Sequence, residues 1–112
     1  MDAAAIRKHI QRHADAVVHG LWATVAADFA EGIRLQVPQI IEGLPQPSVT
    51  NAEVLSLEIG QPESIAMIRY SGESGDVTLR SRWQDRGGEH PVIVDIGPVD
   101  RHGQRVRSKT SS

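Results

Sequence analysis

The second half of the chain, from about residue 53 to 97, alternates between apolar and polar residues with a period of two. This pattern constrains the fold more than any other feature, because successive residues of a β-strand point to opposite faces of a sheet. Short glycine-containing turns interrupt the alternation three times, which favours strands joined as consecutive hairpins. The predicted strands are 53–59, 64–71, 76–84 and 91–97. They predict an antiparallel four-stranded meander.

The parity of each strand predicts which side chains share a face. In the register that pairs the apolar faces of the last two strands, Arg80 lies near Asp95, and opposite charges there would support the pairing. A slip of one residue would reverse the faces, and the turn at 85–90 leaves the register open. The predicted apolar faces contain Leu55, Leu57, Ile59, Ala66, Ile68, Tyr70, Val77, Leu79, Trp83, Val92, Val94 and Ile96.

The first half of the chain follows a helical period instead. Apolar residues recur every three or four positions over 2–19, which predicts an amphipathic helix with Asp2 as its N-cap. A second helix is predicted over 21–31, with Gly32 as its C-cap. Prolines then prevent a long helix, although 39–42 has the composition of one helical turn. Helices followed by an antiparallel sheet place the chain in the α+β class.

Size and composition indicate a globular protein. The chain has 112 residues, enough for one core, with 39% hydrophobic and 23% charged residues. We expect a single domain over 1–99 and a flexible basic tail over 100–112. A solvated tail is the first interpretation, and electrostatic docking is the alternative. The tail's basic residues are Arg101, Arg105, Arg107 and Lys109.

Charge and cysteine content limit the partners and the compartment. The formal net charge is −2, and basic residues are scattered before the tail, so nucleic acid is not expected as a partner. The chain has no cysteine, which removes disulfides and thiol chemistry and fits a reducing cytoplasm. No apolar stretch approaches the roughly 20 residues of a membrane span, and no signal peptide is evident. A soluble, cytoplasmic protein without membrane contact is therefore expected.

The order of two helices, a broken apolar linker and a meander resembles the nuclear transport factor 2-like superfamily over about residues 5–99. Three stretches carry the resemblance: HGLWATVAADF at 19–29, RSRWQDRGG at 80–88 and VIVDI at 92–96. The resemblance implies a cystatin-like α+β cone, in which N-terminal helices pack on a curved antiparallel four-stranded sheet around a pocket. It also implies frequent homodimers through the sheet.

The same resemblance implies no single reaction. The superfamily includes ketosteroid isomerases, SnoaL-like polyketide cyclases, epoxide hydrolases, dehydratases and non-enzymatic binding or scaffolding domains, so the fold does not decide the function. Many members carry a tryptophan at the start of the last strand and a histidine further along. Here Pro91 and Asp95 stand at about those places, which separates this chain from functions that depend on that histidine.

Asp95 is the predicted catalytic residue, because it interrupts the apolar run 92–96. If its side chain faces the pocket, it could act as a general acid or base. The alternative is a carboxylate on the outer face of the sheet, paired with Arg80. The two arginines of the third strand could anchor an anionic ligand or could face solvent. The predicted substrate pocket contains His13, Met67, Tyr70, Arg80, Arg82 and Trp83. For Tyr70 and Trp83, packing in the core is the alternative.

Metal and cofactor sites are not predicted. His9 and His13 lie four residues apart on a helix, a spacing that can bind a divalent metal, but no third ligand is evident. Nucleotide-binding and nucleophile-elbow motifs are absent, so no cofactor is expected. Trp22 is expected in the core, and His90 is expected to be solvated, as is His102 in the tail.

Three functions stay open at this point. The first is a domain that binds a small apolar or mildly polar ligand. The second is a cofactor-independent isomerase, cyclase or hydrolase that uses Asp95. The third is a non-enzymatic homodimerisation or interaction module whose pocket is filled by its own side chains.

Overall fold

A computed structural model describes residues 2–88 and 90–99, and within them the chain is α+β, with helices followed by one antiparallel sheet. The sheet order is β1-β2-β3-β4, so the predicted four-stranded meander is confirmed. The basic tail lies outside the described residues. The helical segments are α1 (Ala3–Val18), α2 (Trp22–Ala27), a 3₁₀ helix (Glu31–Gln36) and α3 (Val37–Glu42), and the strands are β1 (Asn51–Glu58), β2 (Glu63–Gly72), β3 (Gly75–Gln84) and β4 (Val92–Pro98).

The first helix forms as predicted. The Asp2 carboxylate accepts a hydrogen bond from the Ala5 backbone N–H at 2.7 Å, which satisfies one of the free donors at the start of α1. At the other end, His19 Nδ1 donates to the Asp15 carbonyl at 2.8 Å. One face of α1 is buried, as its apolar spacing requires. That face contains Ile6, Ile10, His13, Ala14, Ala16 and Val17.

The second helix ends four residues earlier than predicted because the chain leaves it to pair with the last strand. Phe29 forms a parallel bridge with Ile93. The Ile93 N–H donates to the Asp28 carbonyl at 2.8 Å, and the Ala30 N–H donates to the Ile93 carbonyl at 2.8 Å. These bonds to β4 replace helical ones and fix the segment after α2 against the edge of the sheet.

Two residues of the helical half differ from their predictions. Gly32 lies inside the 3₁₀ helix, so its predicted role as a C-cap is wrong. Trp22 is 37% exposed, so its predicted place in the core is wrong too. The predicted turn at 39–42 is part of α3, and Pro38 stands in the first turn of that helix, where its missing N–H costs no hydrogen bond.

A β-bulge between Val54 and Ser56 changes the faces of β1. An extra residue in one strand reverses the side-chain parity beyond it. Leu55 is therefore 43% exposed, and its predicted place on the apolar face is wrong, whereas Val54 and Leu57 pack against the core. The predicted apolar faces of β2 and β3 are confirmed for the buried side chains of Ala66, Ile68, Tyr70, Leu79 and Trp83.

A second irregularity lies between Arg82 and Trp83, where β3 pairs with β4. Asp95 is paired with Arg82, and Arg80 is paired with Gly97, so the predicted register that brings Arg80 to Asp95 is wrong. The helix-facing residues of β4 are accordingly Ile93 and Ile96, rather than the predicted valines on either side of Ile93.

The core lies between one face of the sheet and the helices. Its largest fully buried side chains include Trp83 from β3, Phe29 from the segment after α2 and Ile6 and Ile10 from α1. Within the described residues, no helix combines the length and apolar character needed to cross a membrane. The contact between the helices and the sheet contains buried polar side chains, which are the candidates for a functional site.

Candidate functional site

Asp28 is a buried carboxylate that joins two histidines of α1. It lies at the end of α2 with 5% of its surface exposed. Its Oδ2 is 2.7 Å from His13 Nδ1, and its Oδ1 is 2.9 Å from His9 Nε2. An ionised carboxylate can only accept hydrogen bonds, so both imidazole nitrogens carry their proton and donate.

Opposing effects act on the Asp28 carboxyl group. Burial on its own raises the pKa of Asp28, but the hydrogen bonds and charges of His13 and His9 outweigh burial and lower this pKa to about 2. Asp28 is therefore ionised at neutral pH. Because its oxygens bind the proton on His13 Nδ1, neutral His13 has Nε2 as its unprotonated nitrogen.

Trp83 holds both imidazole rings in place. Its ring meets the His13 ring edge to face at a centroid distance of 5.1 Å and the His9 ring at 5.8 Å. The Trp83 indole N–H donates to the Ser81 hydroxyl at 2.9 Å. The side chain is fully buried and hydrogen-bonded, so the histidine rings pack against a fixed surface.

A small apolar cavity lies between the helices and the inner face of the sheet. Its volume is about 20 Å³, which is the room of one water molecule. The side chains of His13 and Tyr70 reach this apolar lining, and burial raises the pKa of Tyr70, which keeps its hydroxyl protonated as a donor. The lining also includes Val17, Trp22, Phe29, Ile40, Ile41 and Leu79.

His13 lines this cavity, and its Nε2 is the nitrogen that the Asp28 hydrogen bond leaves free. Nε2 forms no hydrogen bond within the described part of the chain, although no buried side-chain nitrogen or oxygen there lacks a partner. Nε2 must therefore be reachable, and His13 lines the cavity while only 3% exposed overall. The arrangement is a carboxylate, an oriented imidazole and an apolar space, which can accept a hydrogen bond or a proton from a small molecule.

The structure divides the predicted site residues between two faces of the sheet. His13 and Tyr70 line the cavity, and Trp83 is buried beside it. The others occupy the outer face, since paired residues of neighbouring strands share a face. Met67 pairs with Arg80 and Arg82 with Asp95 on that face. Asp95 therefore does not reach the cavity.

Two of the outer-face arginines, Arg82 and Arg69, form ion pairs with neighbouring strands. Arg82 donates to the Glu63 carboxylate at 2.9 Å from the neighbouring strand. Arg69 forms an ion pair with Glu53. These opposite charges across neighbouring strands support the strand pairing.

Asp28 and His90, which contact the histidines of α1, were not predicted from the sequence as site residues. Asp28 interrupts the apolar stretch 25–30, and an acid in such a stretch was the available signal. His90 was expected to be solvated, but it is half-buried and its ring stacks on His9 at a centroid distance of 4.5 Å. That expectation is wrong because the turn before β4 folds back onto α1.

Comparisons with protein-family models, with curated proteins and with solved structures found no match to this chain. The function must therefore be argued from the site itself.

Proposed function

We propose that this protein is a small-molecule-binding domain whose ligand occupies the apolar cavity and donates a hydrogen bond to His13 Nε2. The observation that carries the proposal is that His13 lines the apolar cavity, while a 2.7 Å hydrogen bond from its Nδ1 to buried Asp28 fixes its tautomer and leaves Nε2 free. A polar atom in such surroundings gives orientation to a ligand that is otherwise held by burial.

The lining defines the ligand chemistry. Apolar side chains favour an apolar body, and His13 Nε2 favours a single donor such as a hydroxyl group. The Tyr70 hydroxyl is a donor and can complete the recognition of that group. Because the cavity has room for one water, a larger ligand requires displacement of the short helix α3 or of half-exposed Trp22, which both contribute to its lining.

The resemblance to the nuclear transport factor 2-like superfamily supports this placement of the ligand. The order of helices before a meander agrees with that resemblance, and the inner face of the sheet packs on the helices. We extend the proposal to a cystatin-like cone with a homodimer formed through the outer face of the sheet. A sizing measurement that gives a monomer would contradict the dimer alone.

A second candidate is a cofactor-independent isomerase, cyclase or hydrolase. The Asp28–His13 hydrogen bond favours it, because a buried carboxylate that orients an imidazole also stabilises the imidazolium formed when Nε2 takes a proton. In this reaction scheme His13, rather than Asp95, is the general base. Asp95 as catalytic residue stays a prediction that the cavity does not support.

Phenol and toluene make a matched pair of probes, since only phenol has a donor for His13 Nε2. Each is titrated into the ¹⁵N-labelled protein, and the imidazole and α3 resonances are followed by NMR. We expect phenol to shift the His13 Nε2 resonance and to bind more tightly than toluene. His13→Gln should remove that preference, whereas His19→Gln, on the exposed end of the same helix, should keep it.

Two results would contradict the binding proposal. Equal binding of phenol and toluene would show that His13 does not contribute. If neither probe perturbs the cavity resonances, the side chains fill the cavity, and the interaction module becomes the better account.

A further inference from the structure

Asp28 Oδ1, the oxygen that does not bind His13, lies in a cluster of potential metal ligands. His9, Asp28 and His90 each bring one potential ligand atom within 4.8 Å of the others. His9 comes from α1, Asp28 from the end of α2 and His90 from the turn before β4, so tertiary structure alone brings them together. We propose that these three side chains bind a Zn²⁺ ion.

The donor set fits zinc better than the common hard cations. Zn²⁺ takes imidazole nitrogens and carboxylate oxygens, and sites with three protein ligands leave a fourth position for water. Mg²⁺ and Ca²⁺ prefer oxygen ligands throughout, so a site with two imidazoles disfavours both. Half-buried His9 and His90 lie on the solvent side of buried Asp28, which gives an ion a route to the carboxylate.

Two existing hydrogen bonds orient the ligands for a metal. His90 Nδ1 donates to the Pro91 carbonyl at 2.9 Å, which leaves Nε2 with its lone pair free. His13 Nδ1 binds Asp28 Oδ2 and leaves Oδ1 for the ion. Metal-binding histidines and carboxylates are usually held by such outer partners, which fix the tautomer and the ring orientation.

Binding requires one proton rearrangement. His9 Nε2 donates to Asp28 Oδ1 at 2.9 Å, and the ion replaces the proton between these two atoms. The neutral ring then carries its proton on Nδ1, so His9 changes tautomer and no net proton is gained or lost. The metal bridges the same nitrogen and oxygen that the hydrogen bond joins.

The side chains must also adjust their spacing. With zinc bonds of about 2.1 Å, tetrahedral ligand atoms lie about 3.4 Å apart. His9 Nε2 and Asp28 Oδ1, which are 2.9 Å apart, separate slightly, whereas the His90 ligand atom, which lies within 4.8 Å of the others, approaches by up to about 1.4 Å. Ring rotation at the half-buried histidines can supply this change. The parallel stacking of His9 on His90 is lost as their lone pairs turn towards one ion.

The structure assigns His90, rather than His13, as the third ligand. Helical spacing alone pairs His9 with His13, but His13 Nδ1 binds Oδ2 of Asp28, and the His13 side chain lines the cavity. His13 is an outer partner of the proposed site. The zinc and small-molecule proposals therefore use different nitrogen atoms and can fail separately.

The test uses the full chain after treatment with a chelator. Co²⁺ is titrated and followed by the visible d–d absorption of its four-coordinate form, Zn²⁺ is then added as competitor, and Zn²⁺ affinity is measured by calorimetry. We expect one ion per chain. His13→Gln, which removes an outer partner, should weaken Zn²⁺ binding by about 10- to 100-fold. His9→Gln and His90→Gln, which each remove a ligand, should weaken it by more than about 100-fold.

His19→Gln is the matched control, since His19 is an exposed histidine of the same chain and should leave Zn²⁺ affinity unchanged. Circular dichroism of each variant confirms folding, and His90→Gln, in a turn, keeps the test valid if His9→Gln does not fold. Absence of stoichiometric Zn²⁺ binding would overturn the proposal. Unchanged affinity in His90→Gln, or a larger loss in His13→Gln than in His90→Gln, would also overturn it.

Discussion

Replacing Asp28 with asparagine should destabilise the fold and remove a specific part of its pH dependence. The carboxylate accepts hydrogen bonds from His13 and His9, and asparagine offers one acceptor oxygen and one NH₂ group in its place. At least one histidine must then give up its present donor role or face another donor. The substitution preserves the size of the side chain, so the change in stability reports the charge and its hydrogen bonds.

The magnitude follows from the carboxyl pKa. Folding lowers the pKa of Asp28 from 3.8 to about 2, and at about 1.4 kcal/mol for each tenfold change in proton affinity this corresponds to about 2.5 kcal/mol. Since the folded-state pKa is the lower one, the contribution is fully present above about pH 4 and is lost as the pH falls towards 2. At pH 3 about half of it should remain.

Urea unfolding at pH 7 and pH 3 measures this difference between wild type and Asp28→Asn. Asp15→Asn is the control, because Asp15 is an exposed acid of α1. The control should change stability by less than about 0.5 kcal/mol at either pH. Equal destabilisation by Asp28→Asn at both pH values, or none at pH 7, would refute the reasoning about the buried carboxylate.

Two further predictions concern packing and use the same assay. Gly72→Ala should lower the free energy of unfolding by about 1–3 kcal/mol, because a Cβ at this position meets the Ser48 carbonyl oxygen. Gly32→Ala is the control and should be near neutral, because a Cβ there meets nothing within 4 Å. Equal effects of the two substitutions would contradict the close approach of Gly72 to Ser48. Ile93→Ala should cost about 2–5 kcal/mol, because Ile93 is fully buried, whereas Leu35→Ala, at a side chain 96% exposed, should change little. A small effect at Ile93 would place the buried face of β4 elsewhere.

The sequence predicted the elements better than it predicted their faces. Alternation and turn residues are local, so the four strands and their order could be read directly. A β-bulge depends on how a strand twists over the core, and nothing in the alternation marks it. The bulge in β1 exposes Leu55, and the one between β3 and β4 pairs Asp95 with Arg82 on the outer face.

The site was predictable only in part, for a similar reason. His13 and Tyr70 face inwards because of their helical and strand periods, which are local properties. Asp28 becomes the partner of His13 because the chain leaves α2 to pair with Ile93, a tertiary contact. His90 reaches His9 through the fold of a turn, and sequence spacing carries no signal for such a contact.

The protonation state of His13 tests the central claim most directly. Long-range ¹H–¹⁵N correlation spectra, recorded well above the usual titration range of histidine, distinguish the two tautomers of the neutral ring. The hydrogen bond to Asp28 predicts a proton on Nδ1 and an unprotonated Nε2 whose resonance shifts when phenol is added. A proton on Nε2, or an Nε2 resonance that phenol leaves unchanged, would contradict the proposed binding site.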